Sequence, residues 1–272
     1  MNSAKLGESP IAAQLRQGFR WLRFERSLER AFQREQHLQT QVQLRLNLVM
    51  AIALVVAFDA LDRTVTTAEA GEFAQQVRYF VVVPGLLLCL GLTFLRAGPR
   101  LYPLLVRTLA PLAMICVAAV EINASLHGSA LHFSTMVLAT IFVYYLAGLT
   151  FYGAAIANLV GLLTYVVGGT YAGLPAYLVT YNGMVLFFAN VVGAAVAYNL
   201  ETAWRTGWLE AQLLSEVALR DGLTGIFNRR RLDEHLARTW QQGAREMRSL
   251  ALLMVDIDYF KNFNDQYGHQ AG

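Results

Sequence analysis

Apolar positions between residues 46 and 200 gather into six runs, 46–60, 79–95, 109–124, 131–149, 151–167 and 177–200, separated by short polar or basic stretches. Extended by a few flanking residues, each approaches the ~20 apolar residues that one helical crossing of a bilayer needs. The fourth and fifth runs nearly merge and together are too long for a single crossing, so the pattern predicts a break at 148–153 and six spans. Ahead of the first run, Phe24, Leu28 and Phe32 recur at helical spacing among Arg and Glu. Residues 11–43 are therefore expected to form an amphipathic helix, lying on the cytoplasmic membrane face or packing against the downstream domain. After the sixth run, 201–220 continues as a helix whose Trp204 and Trp208 suit the membrane interface and whose Leu209, Leu213 and Val217 form an apolar stripe. The pattern then changes character. Residues 228–247 read as a helix with Leu232, Leu236 and Trp240 at four-residue spacing. The uninterrupted apolar run 250–255, ended by Asp256, reads as a strand buried on both faces.

Composition fixes the class. Hydrophobic residues make up 56% and charged residues 15% of the chain, with mean hydropathy +0.39, against about 25% charged in soluble domains. The sequence describes an α-helical polytopic bundle whose principal partner is the lipid bilayer. A net charge of +3 is too small to argue for nucleic acid, and the basic residues lie beside apolar runs. Lys5, Arg16, Arg20, Arg23, Arg26, Arg30, Arg34 and Arg45 precede the first run, Arg96, Arg100 and Arg107 follow the second, and Arg205 follows the sixth. All fall on one side if the N-terminus is cytoplasmic, and an even number of spans returns the C-terminus there. Cys89 and Cys116 both sit in apolar runs, as packing residues and not as a disulfide or zinc framework. No secretory signal opens the chain, since the first apolar run comes late.

Within the bundle, Gly153, Ala157 and Gly161 recur every four residues, as do Ala189, Gly193 and Ala197. Such faces let helices approach closely, within one protomer or at a dimer seam. Asn158, Asn182 and Asn190 suit either a small-ligand cavity or hydrogen bonds between helices. Glu121, His127 and His132, near the outer ends of the third and fourth spans, are the candidate sensor residues, suited to a metal or to external pH; the ordinary alternative is an interfacial carboxylate and two loop histidines.

The chemistry gathers after the predicted strand. Asp256 occupies its carboxyl end, where open α/β folds bind ligands, and with Asp258 it suits a hard cation carrying phosphates. Lys261 adds a positive charge within reach of the same phosphates. A helix-capping Asp is the competing reading.

Asp256-Ile-Asp-Tyr-Phe-Lys261, followed by Asn264-Asp265 and Tyr267-Gly268-His269, resembles the first metal-binding segment of diguanylate cyclase (GGDEF) catalytic domains. Asp221-Gly-Leu223-Thr224-Gly225-Ile-Phe-Asn228-Arg229-Arg230 is similar to the segment that opens that domain. Two long motifs in the right order make a chance match improbable. The resemblance covers only 221–272; together with the apolar pattern it gives four regions: a cytoplasmic segment 1–45, a six-span sensor domain 46–200, a signalling helix 201–220, and at 221–272 the N-terminal part of a ferredoxin-like, nucleotide-cyclase palm. It implies that Asp256 and the Ile257 carbonyl hold Mg2+ (or Mn2+), that Asp256 and Lys261 are catalytic, and that Lys261 contacts the GTP triphosphate. The backbone at Tyr259 and Phe260 would approach the phosphates, Asn264 would read the guanine edge, and His269 would complete the nucleotide-binding motif. Asp258, Asp265 and His269 match the motif, with capping or packing roles equally open. The implied reaction joins two GTP into cyclic di-GMP across a homodimer, at the bacterial inner membrane. The sequence stops at Gly272, ahead of the family's signature turn and its second metal-ligand carboxylate, so these residues by themselves are expected to be inactive and to be part of a longer enzyme. The rival readings are a non-enzymatic membrane receptor with a degenerate GTP-binding domain and a six-span class III adenylate cyclase; Asn264-Asp265 and Tyr267-Gly268-His269 argue against the second.

Overall fold

The computed structural model describes residues 10–65, 67–95, 97–128, 133–221, 224–268 and 271. The chain divides into two compact units, one of Gly7–Ala211 and one built on Gln212–Gly272.

The first unit is helical. In place of one helix over 11–43, α1 (Pro10–Gln17) is followed by a 3-10 turn at Arg20–Leu22, and α2 (Arg26–Val65) then runs without interruption into the first apolar segment. Gly18 at φ +67°, with Trp21 and Leu22 also left-handed, turns the chain between them. At ~1.5 Å per residue α2 is roughly 60 Å long, about twice the ~30 Å hydrocarbon layer, so its polar first half extends beyond it. Next come α3 (Ala68–Val77), a π-helical turn (Arg78–Val82), α4 (Val83–Leu92), α5 (Gly98–Leu126), α6 (Phe133–Tyr145), α7 (Phe151–Tyr171) and α8 (Ala176–Ala218).

Among the described residues, five segments are long and apolar enough to cross a membrane: Thr40–Thr64, Ala68–Leu92, Leu101–Leu126, Phe151–Tyr171 and Ala176–Ala218. Only 17% to 28% of each segment's most apolar stretch is buried inside the protein. Phe80, Leu104, Leu163 and Phe188 instead cover the outer surface, as lipid-facing side chains do. This is a multi-pass membrane protein. The fourth predicted run yields the short α6, whose ~20 Å falls below the hydrocarbon thickness. It is separated from α7 by a non-helical stretch at 146–150 with Gly148 at φ +69°, inside the region where the sequence predicts a break only from Gly148 on.

The small-residue faces are used within the chain. A Cβ on Gly161 of α7 would lie 2.8 Å from Met114 Cε and 3.0 Å from Met114 Cβ of α5, and one on Gly193 of α8 would lie 2.7 Å from the Tyr144 ring of α6. Ala154 and Ala157 are fully buried in the same cluster. The asparagines bridge helices: Asn182 Nδ2 donates to Tyr165 Oη at 2.8 Å, Tyr144 Oη donates to Asn190 Oδ1 at 3.2 Å, and Asn158 Nδ2 points to the Thr140 carbonyl at 3.4 Å. None of the three lines the apolar cavity of about 190 Å³ among α2, α4, α5 and α6, which Leu48, Leu86, Tyr102, Met114 and Phe142 border.

In the second unit, α9 (Arg229–Glu246) and α10 (Phe260–Tyr267) are joined by 247–259. The buried strand expected at 250–255 does not form: Leu253, Met254 and Val255 are more than 79% exposed, at 86%, 88% and 80%. A two-sided strand is made by its neighbours, through ladder hydrogen bonds and layers on both faces. Among the described residues no strand is present to pair with it, and one isolated antiparallel bridge, Arg220 to Phe227, is the extent of β structure.

Candidate functional site

The segment that follows α8 is a closed turn. The amide of Asp221 donates to the Ile226 carbonyl at 2.8 Å, that of Gly225 to the Asp221 carbonyl at 3.0 Å, and that of Asn228 to the Leu219 carbonyl at 3.0 Å. Asp221 Oδ1 accepts from both the Thr224 amide, 2.9 Å, and the Thr224 hydroxyl, 2.7 Å, the side-chain turn for which Asp is suited. Gly225 sits at φ +70°, where a Cβ would be strained. Arg220 donates to the Gly225 carbonyl at 2.9 Å, and the guanidinium groups of Arg220 and Arg231 lie 5.0 and 5.4 Å from the Phe227 ring centre. Asn228 works at both ends: Nδ2 donates to the Ala218 carbonyl at 2.7 Å, while Oδ1 caps α9 by accepting from the Arg231 amide at 3.1 Å. Asp221, Thr224 and Asn228 thus fasten the end of α8 to the start of α9. Arg229 is the first residue of α9, and Leu223 lies outside the described residues.

The second motif surrounds a left-handed residue. Tyr259, at φ +61°, precedes α10, and a non-glycine residue held there costs on the order of 1–3 kcal/mol, strain that clusters at ligand sites. Asp256 and Lys261 flank it, both exposed. Asp256 Oδ1 accepts from the Ile257 amide at 2.9 Å, and the Ile257 carbonyl accepts from the Phe260 amide at 3.3 Å. Lys261 stands in the first turn of α10, whose leading amides have no partner within the helix and carry the positive end of its dipole. The helix closes with the Gly268 amide donating to the Asn264 carbonyl at 2.8 Å, Gly268 being at φ +83°, and with Phe263 and Tyr267 rings 4.9 Å apart. Asn264 Oδ1 is buried without a hydrogen-bond donor. Asp258 lies in the turn before Tyr259 and Asp265 on α10, while His269 lies outside the described residues.

Among the described residues no group of three His, Cys, Asp or Glu side chains is placed to hold a metal. The Asp256 carboxylate and Ile257 carbonyl are nevertheless hard oxygen donors, the type Mg2+ takes when one or two protein oxygens are completed by water and substrate phosphate. The donor set fits that ion better than a metal needing an all-protein cage.

In the membrane unit, Glu121 on α5 is buried, whereas His127 caps α5 with Nδ1 at 2.8 Å from the Asn123 carbonyl and Nε2 3.2 Å from the Glu69 carboxylate. His132 lies outside the described residues. Residues 61–78 fall between the first two predicted spans, where Asp62, Arg63 and Arg78 would be loop charges. Instead Arg78, Asp59 and Asp62 are buried: Arg78 pairs with Asp62 and approaches Asp59 at 3.7 Å, and Asp59 Oδ2 accepts from Arg63 at 2.8 Å and from Tyr79 Oη at 3.1 Å. The i,i+4 spacing of Asp59 and Arg63 is the signal that places this part of the network on a helix.

Residues 218–272 match the family model described as diguanylate cyclase, GGDEF domain. The chain is 36% identical over 105 residues to the probable diguanylate cyclase DgcC of Escherichia coli, covering 36% of this chain and 28% of that protein. It is 46% identical over 59 residues to the bifunctional diguanylate cyclase/cyclic di-GMP phosphodiesterase MucR of Pseudomonas aeruginosa, covering 22% and 9%. An uncharacterized membrane protein of Staphylococcus epidermidis is 46% identical over 52 residues, covering 19% and 15%. The chain therefore spans less than a third of the length of each of these relatives.

Proposed function

We propose that this chain, a membrane-anchored protein whose residues 218–272 match the GGDEF family, is the anchoring and nucleotide-entry part of a diguanylate cyclase. The intact enzyme would join two GTP into cyclic di-GMP under control of its membrane helices. The observation that carries the reading is that one family match spans both motifs, the Asp221 turn and the Asp256 segment.

Asp256 and the Ile257 carbonyl are the protein donors for Mg2+ (or Mn2+). When bound, the ion neutralises phosphate charge and orients the attacking and leaving oxygens. Lys261 and the leading amides of α10, beside the Tyr259–Phe260 backbone, take the triphosphate. Asn264 Oδ1, a buried acceptor without a donor, suits the N–H groups of the guanine edge, whose pairing would remove its desolvation cost. His269 is assigned to the nucleotide by its place in the motif. In each half-reaction the 3′-oxygen of one ribose attacks the α-phosphorus of the other GTP, a P–O bond forms, and pyrophosphate leaves. Each domain carries one GTP, so two copies must face each other. In the completed palm, 250–255 would be a strand paired on both sides.

The proposed topology adds α6, fourth in chain order, to the five long segments to make six crossings, with both termini in the cytoplasm of a bacterial inner membrane, where GTP is available. Glu121, His127 and His132 are the proposed sensing residues of the outer face. The test is turnover by the full-length protein with GTP and Mg2+, read by mass spectrometry. Cyclic di-GMP is the expected product, and Asp256→Ala should abolish it while membrane insertion is unchanged. Wild-type yield from that variant would refute the metal assignment, and a product made from ATP would refute the cyclase class.

A further inference from the structure

A second set of charges, unrelated to the nucleotide motifs, surrounds α8 at Arg205. Its side chain is 3% exposed. It donates to Glu29 at 2.8 and 3.2 Å and to Glu201, one turn earlier on α8, at 2.9 and 3.0 Å. The guanidinium also lies 5.0 and 4.7 Å from the Phe24 and Phe32 ring centres. Those rings pack on Trp208, whose indole N–H donates to Glu35 at 2.8 Å, and Leu209 is fully buried in the same cluster. The two carboxylates are themselves committed elsewhere. Glu29 Oε2 accepts from the Phe24 amide at 3.0 Å, which fixes the turn between α1 and α2. Glu201 Oε2 accepts from the Phe151 amide at 2.7 Å, at the positive end of α7.

We infer that Arg205 is the bolt of a latch: Glu201 joins it to the start of α7, Glu29 joins it to the amino-terminal segment, and its release passes a change in α7–α8 packing to the part of α8 beyond it. Three elements distant in sequence meet on one guanidinium, and each carboxylate also accepts from a backbone amide, Glu201 through its other oxygen and Glu29 through an oxygen it shares with Arg205. A shift of α7 along α8 therefore pulls on Glu201, then on Arg205, then on the turn at Phe24. A planar five-donor fork can serve two carboxylates at once, which an ammonium cannot do with the same geometry. Burial by itself would raise the Glu29 carboxyl, but the Arg205 and Phe24 hydrogen bonds, the Arg205 charge and the Gln33 amide outweigh it and hold it below its ordinary value, as an ionised partner requires. The output of the latch rests on the cyclase reading, but its operation does not.

The test is hydrogen–deuterium exchange on the whole chain in phospholipid nanodiscs, without nucleotide, so its failure leaves the proposed function standing. Glu29→Gln and Glu201→Gln are each expected to speed amide exchange at 212–218 about tenfold, a loss typical of removing one charge-assisted pair. Exchange at 154–170, inside α7, should stay at the parent rate. The effects should be non-additive in the double variant, since both act through one bolt. Arg205→Lys, which keeps the charge, should speed exchange at 212–218 by a smaller factor. If the variants loosen only residues 10–36 or 150–152 and leave 212–218 at the parent rate, or if the two glutamine effects simply multiply, Arg205 is a static brace and the inference is wrong.

Discussion

Replacing Gly193 by Ala adds one methyl group where α8 crosses α6, and the cost follows from the contact it would make. The new Cβ would lie 2.7 and 2.9 Å from Tyr144 Cδ2 and Cε2, against an ordinary limit of about 3.4 Å, so the ring must retreat by at least ~0.5–0.7 Å. Tyr144 has little room: it is 8% exposed, and its hydroxyl is held by Asn190. Overpacking of this kind costs about 1–3 kcal/mol, and losing the Tyr144–Asn190 bond adds about 0.6 kcal/mol in a membrane interior. Removing a helical glycine returns about 1 kcal/mol. The net expectation is a destabilisation of about 1–2 kcal/mol, or roughly a tenfold shift in the folded to unfolded ratio. The assay is reversible SDS unfolding in mixed micelles, followed by far-ultraviolet circular dichroism. Gly207→Ala serves as the control: nothing lies within 4 Å of its Cβ position, so it should be neutral or stabilising. If Gly193→Ala matches the control, the close approach of α6 and α8 is not what this glycine permits.

Asn228→Ala removes the cap of α9 and the bond to the Ala218 carbonyl together, and should cost about 1–2 kcal/mol, seen as faster amide exchange at 229–232 with the membrane helices unchanged. The Glu29 carboxyl titrates below its ordinary value, so its contribution is complete above about pH 4.5 and is lost as the pH falls through the lower folded value. Trp208 emission, read in a protein whose other three tryptophans are Phe, should therefore hold steady from neutral pH to about 4.5 and shift red below it. Glu29→Gln should remove that transition, and a transition centred at neutral pH would contradict the assignment.

Much of the membrane unit was legible because its signal is local. Apolar runs set the helices, and the four-residue spacing of Gly161 and Gly193 marked the surfaces that meet Met114 and Tyr144. What stayed hidden depends on partners distant in the chain. Phe24 and Phe32 have the spacing of a lipid-facing stripe, yet they pack on Trp208, more than 170 residues later, and no periodicity distinguishes the two uses. Arg78 looks like a loop charge until Asp59 and Asp62 on α2 are seen to surround it. The strand at 250–255 shows the same limit in reverse: its apolar pattern is that of a central strand, but a ladder needs a neighbour. In the candidate site, the motif makes Asp256 and Lys261 candidates from residue type alone, whereas the left-handed turn at Tyr259 and the orphaned Asn264 oxygen are conformational facts that no residue type announces.

The knotted turn from Leu219 to Asn228 has a mechanical meaning. A slack tether would dissipate any rotation of the long helix that leads into it. Hydrogen-bonded at both ends and with Phe227 flanked by two guanidinium groups, this joint makes the last turn of α8 and the first turn of α9 one braced corner.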